Sequence, residues 1–180
     1  MDDETREEAE TFALTRVRGG FHDRDEVVEG LLDYLEDELS AAEAEELVGR
    51  LWRERVAEQA TWPAETETDR VLAALESLEA TGIVARFDFT CCNNCGVAEI
   101  GAEAGADARG YVFFHSQDTE SAAAGHGLYL SYGTFGGPDP ADIAGEVVKA
   151  LTSVGAAVEW NGSVDKRILV RPLDWQLRLS

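Results

Sequence analysis

At Gly82 the spacing of the apolar residues changes, and no other feature limits the fold of this 180-residue chain so strongly. Before Gly82 the apolar side chains recur every three or four positions, which is the period of a helix face. After it they alternate, which is the period of a strand with one face buried. The first 80 residues are expected to hold four helices. EEAETFALTRVRGG stops at Gly19-Gly20. RDEVVEGLLDYLEDELS lines up Val27, Val28, Leu31, Leu32, Leu35 and Leu39. SAAEAEELVGRLWRERVAEQATW opens on Ser40, with Glu43 three residues later completing a capping box, and carries Leu47, Leu51 and Val56. TETDRVLAALESLEATG ends on Gly82 as a C-cap.

Charge follows the same division. Residues 1–80 carry 24 acids and 8 bases, and residues 81–180 carry 12 and 7. A chain with a net charge of −21 repels polyanions, so nucleic acid and anionic membranes are excluded as partners, and a protein partner is the expected one. The acidic helix faces are read first as solvated surface. The apolar share of 44% is enough for a packed core. No apolar run reaches a membrane-spanning length, and MDDETREEAE lacks the basic-then-apolar order of a signal peptide. Three cysteines cannot close a disulfide framework, so a cytoplasmic location is expected.

Beyond Gly82 the order β-α-β-β-α-β-β is expected: strands 83–90, 110–116 and 127–133, then PDPADIAGEVVKALTSVG as the clearest helix, capped by Asp139 with Pro140 in its first turn. Two last strands flank an Asn161-Gly162 turn. This order predicts an α+β fold, a ferredoxin-like split βαβ sandwich with an extra strand over 82–180. An acidic helical extension, 1–61, precedes an α+β domain, 62–180, with Trp62-Pro63 as the seam.

All three cysteines fall in FTCCNNCG. In a split βαβ unit the first two strands run parallel with the third between them, so their C-terminal ends share one rim. That rim collects Cys91, Cys92 and Cys95 with His115, Asp118, Glu120 and His126. Three readings compete there. The one that weighs most is packing, with the cysteines as small hydrophobic groups, Asn94 as a cap and His115 as an ordinary strand residue. The second is a zinc site on Cys92 and Cys95 completed by His115 and Asp118, with Cys91 and His126 as alternates. Adjacent Cys91 and Cys92 are not expected to ligate one ion together. The third is a redox CxxC, which lacks an obvious cis-proline opposite it. A deaminase is excluded because the upstream HxE and the proline before CxxC are missing. GTFGGPDP has no lysine for phosphate, and no dinucleotide fingerprint occurs.

The succession of FTCCNNCG, GYVFFHSQDTE, GLYLSYG and VEWNG…RILVRPLDW resembles a bacterial family of domains of unknown function, domain of unknown function 6891, over roughly residues 62–178. The resemblance implies that FTCCNNCG and FFHSQDTE recur as a pair; it brings no activity and no residue roles. With no complete catalytic constellation, the expectation is a non-catalytic binding module for a protein partner, with the zinc or thiol site as the alternative.

Overall fold

A computed structural model describes residues 3–180; the first two residues of the acidic N-terminal stretch lie outside them. The chain is α+β and divides into two compact units. One comprises the residues up to Thr66 together with Gln176–Ser180, and the other comprises Glu67–Trp175. The last five residues therefore belong to the helical unit.

In the helical unit, α1 (Asp3–Gly19), α2 (Arg24–Leu35) and α3 (Ala41–Gln59) bury one stripe each. Ala9, Ala13 and Val17 of α1 face Val27, Leu31 and Leu35 of α2 and Ala44, Leu47, Val48 and Leu51 of α3 in one core. The start of α3 is as expected: the Ser40 backbone N–H donates to the Glu43 carboxylate at 3.1 Å, and the Glu43 N–H donates to Ser40 Oγ at 3.4 Å. Asp23 and Glu26 close a second capping box on α2. Val56, expected on the α3 stripe, is 48% exposed. The inward position one residue earlier is Arg55, whose guanidinium lies over the Trp62 ring and donates to Glu58.

In the second unit, α4 (Glu67–Glu76) continues through a 3₁₀ turn to Gly82. Gly82 adopts φ +83°, and a Cβ there would approach the Asp107 carbonyl oxygen to 2.7 Å. The sheet has the order β1-β2-β3-β5-β4, with β1 Ile83–Arg86, β2 Gly110–Phe113, β3 Leu128–Thr134, β4 Val158–Glu159 and β5 Ile168–Val170. Strands β1 and β2 pair directly in parallel, from Ile83↔Gly110 to Arg86↔Phe113, and every other pairing is antiparallel. The expected ferredoxin-like split is therefore absent, because β3 lies outside β2 instead of between β1 and β2.

Strands β1 and β2, consecutive in the chain, pair side by side, the arrangement that consecutive strands favour, and β3 is left the outer edge of β2. The strand expected over 110–116 is also shorter: β2 ends at Phe113, and after two intervening residues an unexpected helix, α6 (Ser116–Ala123), begins. The expected Asn161-Gly162 hairpin is also longer than a two-residue turn. Val158 and Glu159 pair with Val170 and Leu169, and Gly162, at φ +84°, lies in the intervening loop. The Arg171-Pro172 peptide is cis.

The two sheet faces are packed differently. Helix α7 (Pro140–Ser153), capped by Asp139 as expected, buries Ile143, Val147 and Leu151, each contributing about 1.5–3 kcal/mol. Gly110 on β2 leaves room for the Ile143 side chain. On the alternate β2 residues, Phe113 and Tyr111 pack with Val84 and Ile100. Helix α5 (Asn93–Glu99) sits against Phe113, where a Cβ on Gly96 would overlap the ring. Gly96 lowers the helix propensity of α5 but permits this close approach.

Candidate functional site

The parallel pairing of β1 and β2 still brings their C-terminal ends to one rim, although the strand order differs from the expected one. The chain leaves β1 through a tightly turned segment. Asp88 and Thr90 have φ +49° and +62°, a region that side-chain-bearing residues seldom occupy. Neighbouring bonds hold them there. The Phe89 N–H donates to the Phe114 carbonyl at 2.9 Å, and the Thr119 hydroxyl donates to Asp88 Oδ1 at 2.6 Å. The Ser116 N–H and hydroxyl donate to the carbonyls of Thr90 and Cys91 at 3.1 and 3.3 Å. The start of α6 thus braces the segment that presents the cysteines.

The N-cap of α5 is Cys92, in an extended conformation, while Asn94 is exposed. Asn93 accepts from the buried Ser131 hydroxyl at 2.6 Å, which ties α5 to β3. The Sγ atoms of Cys91, Cys92 and Cys95 all lie within 4.8 Å of one another, and Cys91 and Cys95 are 3.5 Å apart. Adjacent Cys91 and Cys92, not expected to act on one ion together, therefore bring their sulfurs into one cluster after all. All three thiols are free; Cys91 is exposed and the other two are half-buried. The Cys92 thiol is drawn below the usual range, chiefly by the Cys95 backbone N–H and less by the neighbouring thiols. The Cys95 thiol is pushed up to about 11, first by Cys91 and then by Cys92.

His115 and Asp118 do not enter this group; among the described residues, the cluster with ligand atoms inside 4.8 Å is the three cysteines. His115 is the N-cap of α6, not a strand residue. It is 5% exposed and Asp118 is 4% exposed. His115 Nε2 lies 3.0 Å from Asp118 Oδ2, which also accepts the His115 backbone N–H at 3.1 Å. Arg167, between β4 and β5, donates both terminal nitrogens to Asp118 at 2.9 and 2.5 Å and rests over the Tyr129 ring.

Burial holds the His115 pKa below its ordinary value, and Arg167 pushes the same way against the opposing pull of Asp118. His115 Nδ1 is buried without a hydrogen-bond partner. Arg167 is the residue the sequence reading missed. No spacing links it to Asp118, 49 positions away. His126 is exposed in the turn before β3, and its N–H donates to the Ser121 carbonyl.

Among the described residues no helix is long and apolar enough to cross a membrane. Neither the curated proteins nor the solved structures contain a match to the chain. The family model described as Domain of unknown function (DUF6891) matches residues 2–179, so the resemblance seen over 62–178 extends through the helical unit as well. Covered over nearly its whole length, helices and sheet alike, the chain belongs to the DUF6891 family.

Proposed function

We propose that Cys91, Cys92 and Cys95 form a thiolate site for a soft divalent metal, zinc being the ion such donors favour, with the fourth position open to an exogenous ligand. The observation that carries this reading is the mutual approach of the three sulfurs to within 4.8 Å. Around a tetrahedral zinc with bonds of about 2.3 Å the sulfurs stand about 3.8 Å apart, so small side-chain rotations bring this set onto the ion. Of the two thiols with shifted pKa values, Cys92 is drawn down and Cys95 pushed up, so Cys92 gives up its proton to a metal more readily than Cys95. Elemental mass spectrometry on protein purified without a His-tag or chelator tests the reading. It requires close to one zinc per chain, lost when all three cysteines are serine; equal, near-zero metal in both proteins would refute it.

A second reading is a protein-docking module, supported by the 24 acids and 8 bases in residues 1–80. An acidic face of that kind recruits a basic partner and gives a salt-dependent association rate. Failure to recover any stoichiometric protein from the native host at low ionic strength would remove its support.

A further inference from the structure

The Cys91 and Cys95 sulfurs, 3.5 Å apart, are in direct contact, and Cys91 opens to solvent where a small oxidant can reach it. A disulfide needs its sulfurs at about 2.05 Å, so closure asks for a movement of about 1.5 Å. Side-chain torsions can supply this movement because Cys91 stands on the irregular corner before α5 and Cys95 in its first turn. Cys92 is less suited to the bridge. It is the extended N-cap residue of α5, and its carbonyl is fixed by the Gly96 N–H at 3.0 Å.

We propose that Cys91 and Cys95 are a reversible oxidation site that closes to a disulfide and leaves Cys92 as a free thiol. The oxidant is a low-molecular-weight disulfide, R–S–S–R. One protein thiolate attacks it, forming a mixed disulfide and expelling RS⁻. The second protein thiolate then attacks the protein sulfur of that mixed disulfide, forming the Cys91–Cys95 bond and expelling the second RS⁻. The two thiol protons pass to the two RS⁻ leaving groups, and two electrons pass from the protein to the oxidant. The bridge does not depend on a metal. Its consequence does rest on the trithiolate reading: closure removes two of three donors, so oxidation releases the ion and reduction restores the site.

The test uses metal-free full-length protein equilibrated in glutathione buffers of increasing oxidised fraction, then acid-quenched, alkylated and peptide-mapped. Titratable thiols fall from three to one, the bridge maps to Cys91–Cys95, and Cys92 carries the alkyl label. Dithiothreitol restores three thiols. In a Cys92→Ser chain the count falls from two to none. Three thiols persisting at full oxidation, or a bridge mapped to Cys92–Cys95, would overturn the proposal. Because the count is made without metal, it fails or succeeds independently of zinc binding. A zinc titration of the oxidised and reduced forms then reads the coupling, with at least a tenfold weaker affinity expected in the oxidised form and equal affinity refuting it.

Discussion

Two polar groups share the rim at the C-terminal ends of β1 and β2, and they differ in almost every physical respect. His115 and Asp118 are buried, Arg167 donates two short charge-assisted bonds to the Asp118 carboxylate, and His115 Nε2 lies 3.0 Å from it. Cys91, Cys92 and Cys95 lie half-buried to exposed, with their sulfurs within 4.8 Å of one another. A buried carboxylate with an arginine and a histidine around it has its bonding capacity committed, and removing one member strands the others. Thiols on a braced corner keep theirs available. Burial thus fixes the polar groups of one set, while the donor atoms of the other stay open to a ligand.

The sharpest way to break this comparison is Asp118→Ala. The change leaves Arg167 without its carboxylate and the His115 backbone N–H without its acceptor, and should cost about 3 kcal/mol in urea unfolding. Cys92→Ser in metal-free protein should cost under about 1 kcal/mol in the same assay. Equal costs would erase the distinction.

Next in size is Gly96→Ala, which drives a methyl group into the Phe113 ring and should cost about 1–3 kcal/mol. It should also displace the first turn of α5, so zinc affinity should fall although no ligand is altered. Unchanged affinity would mean that α5 does not position Cys95.

A pH titration of stability sharpens the buried side. With the His115 pKa depressed in the folded state, the unfolded chain binds more protons below about 6.5. Stability attributable to His115 is therefore full above that pH and declines as the pH falls below it. His115→Gln should flatten the wild-type slope between about pH 6.5 and 5; parallel curves would place the histidine outside this linkage.

The smallest effect is expected at the other end of the sheet, where Arg109 holds Glu146 bidentately on a partly exposed face. Glu146→Gln should cost less than about 1 kcal/mol. Arg109 lowers the Glu146 pKa, so the pair's contribution is present above the ordinary carboxylate range and is lost as the pH falls through the folded value.

Much of this molecule was legible in the sequence wherever the determinant is local. Ser40 with Glu43, Gly82 and Asp139-Pro140 each specify a helix end within four residues, and the structure places those ends accordingly. Strand order was not legible, because either edge of β2 can take β3 and no local residue selects between them. Helix α6 was not legible either, since eight residues with no recurring apolar positions carry no helix period to detect. The three cysteines were visible as candidates, but the left-handed backbone at Asp88 and Thr90 in the segment leading to them is marked by no glycine, and the joint approach of Cys91 and Cys92 left no pattern in the sequence. Arg167 left no trace because its partner is joined to it only by the fold.

The central claim is that the three thiols act together on one metal, and a cobalt(II) titration followed by absorption tests it most directly. Thiolate-to-cobalt charge transfer grows with the number of bound sulfurs. The wild-type protein should saturate at one equivalent with an intense band, and each single cysteine-to-serine change should remove about a third of the band intensity. A wild-type titration without that band, or one that Cys91→Ser leaves unchanged, would contradict the account.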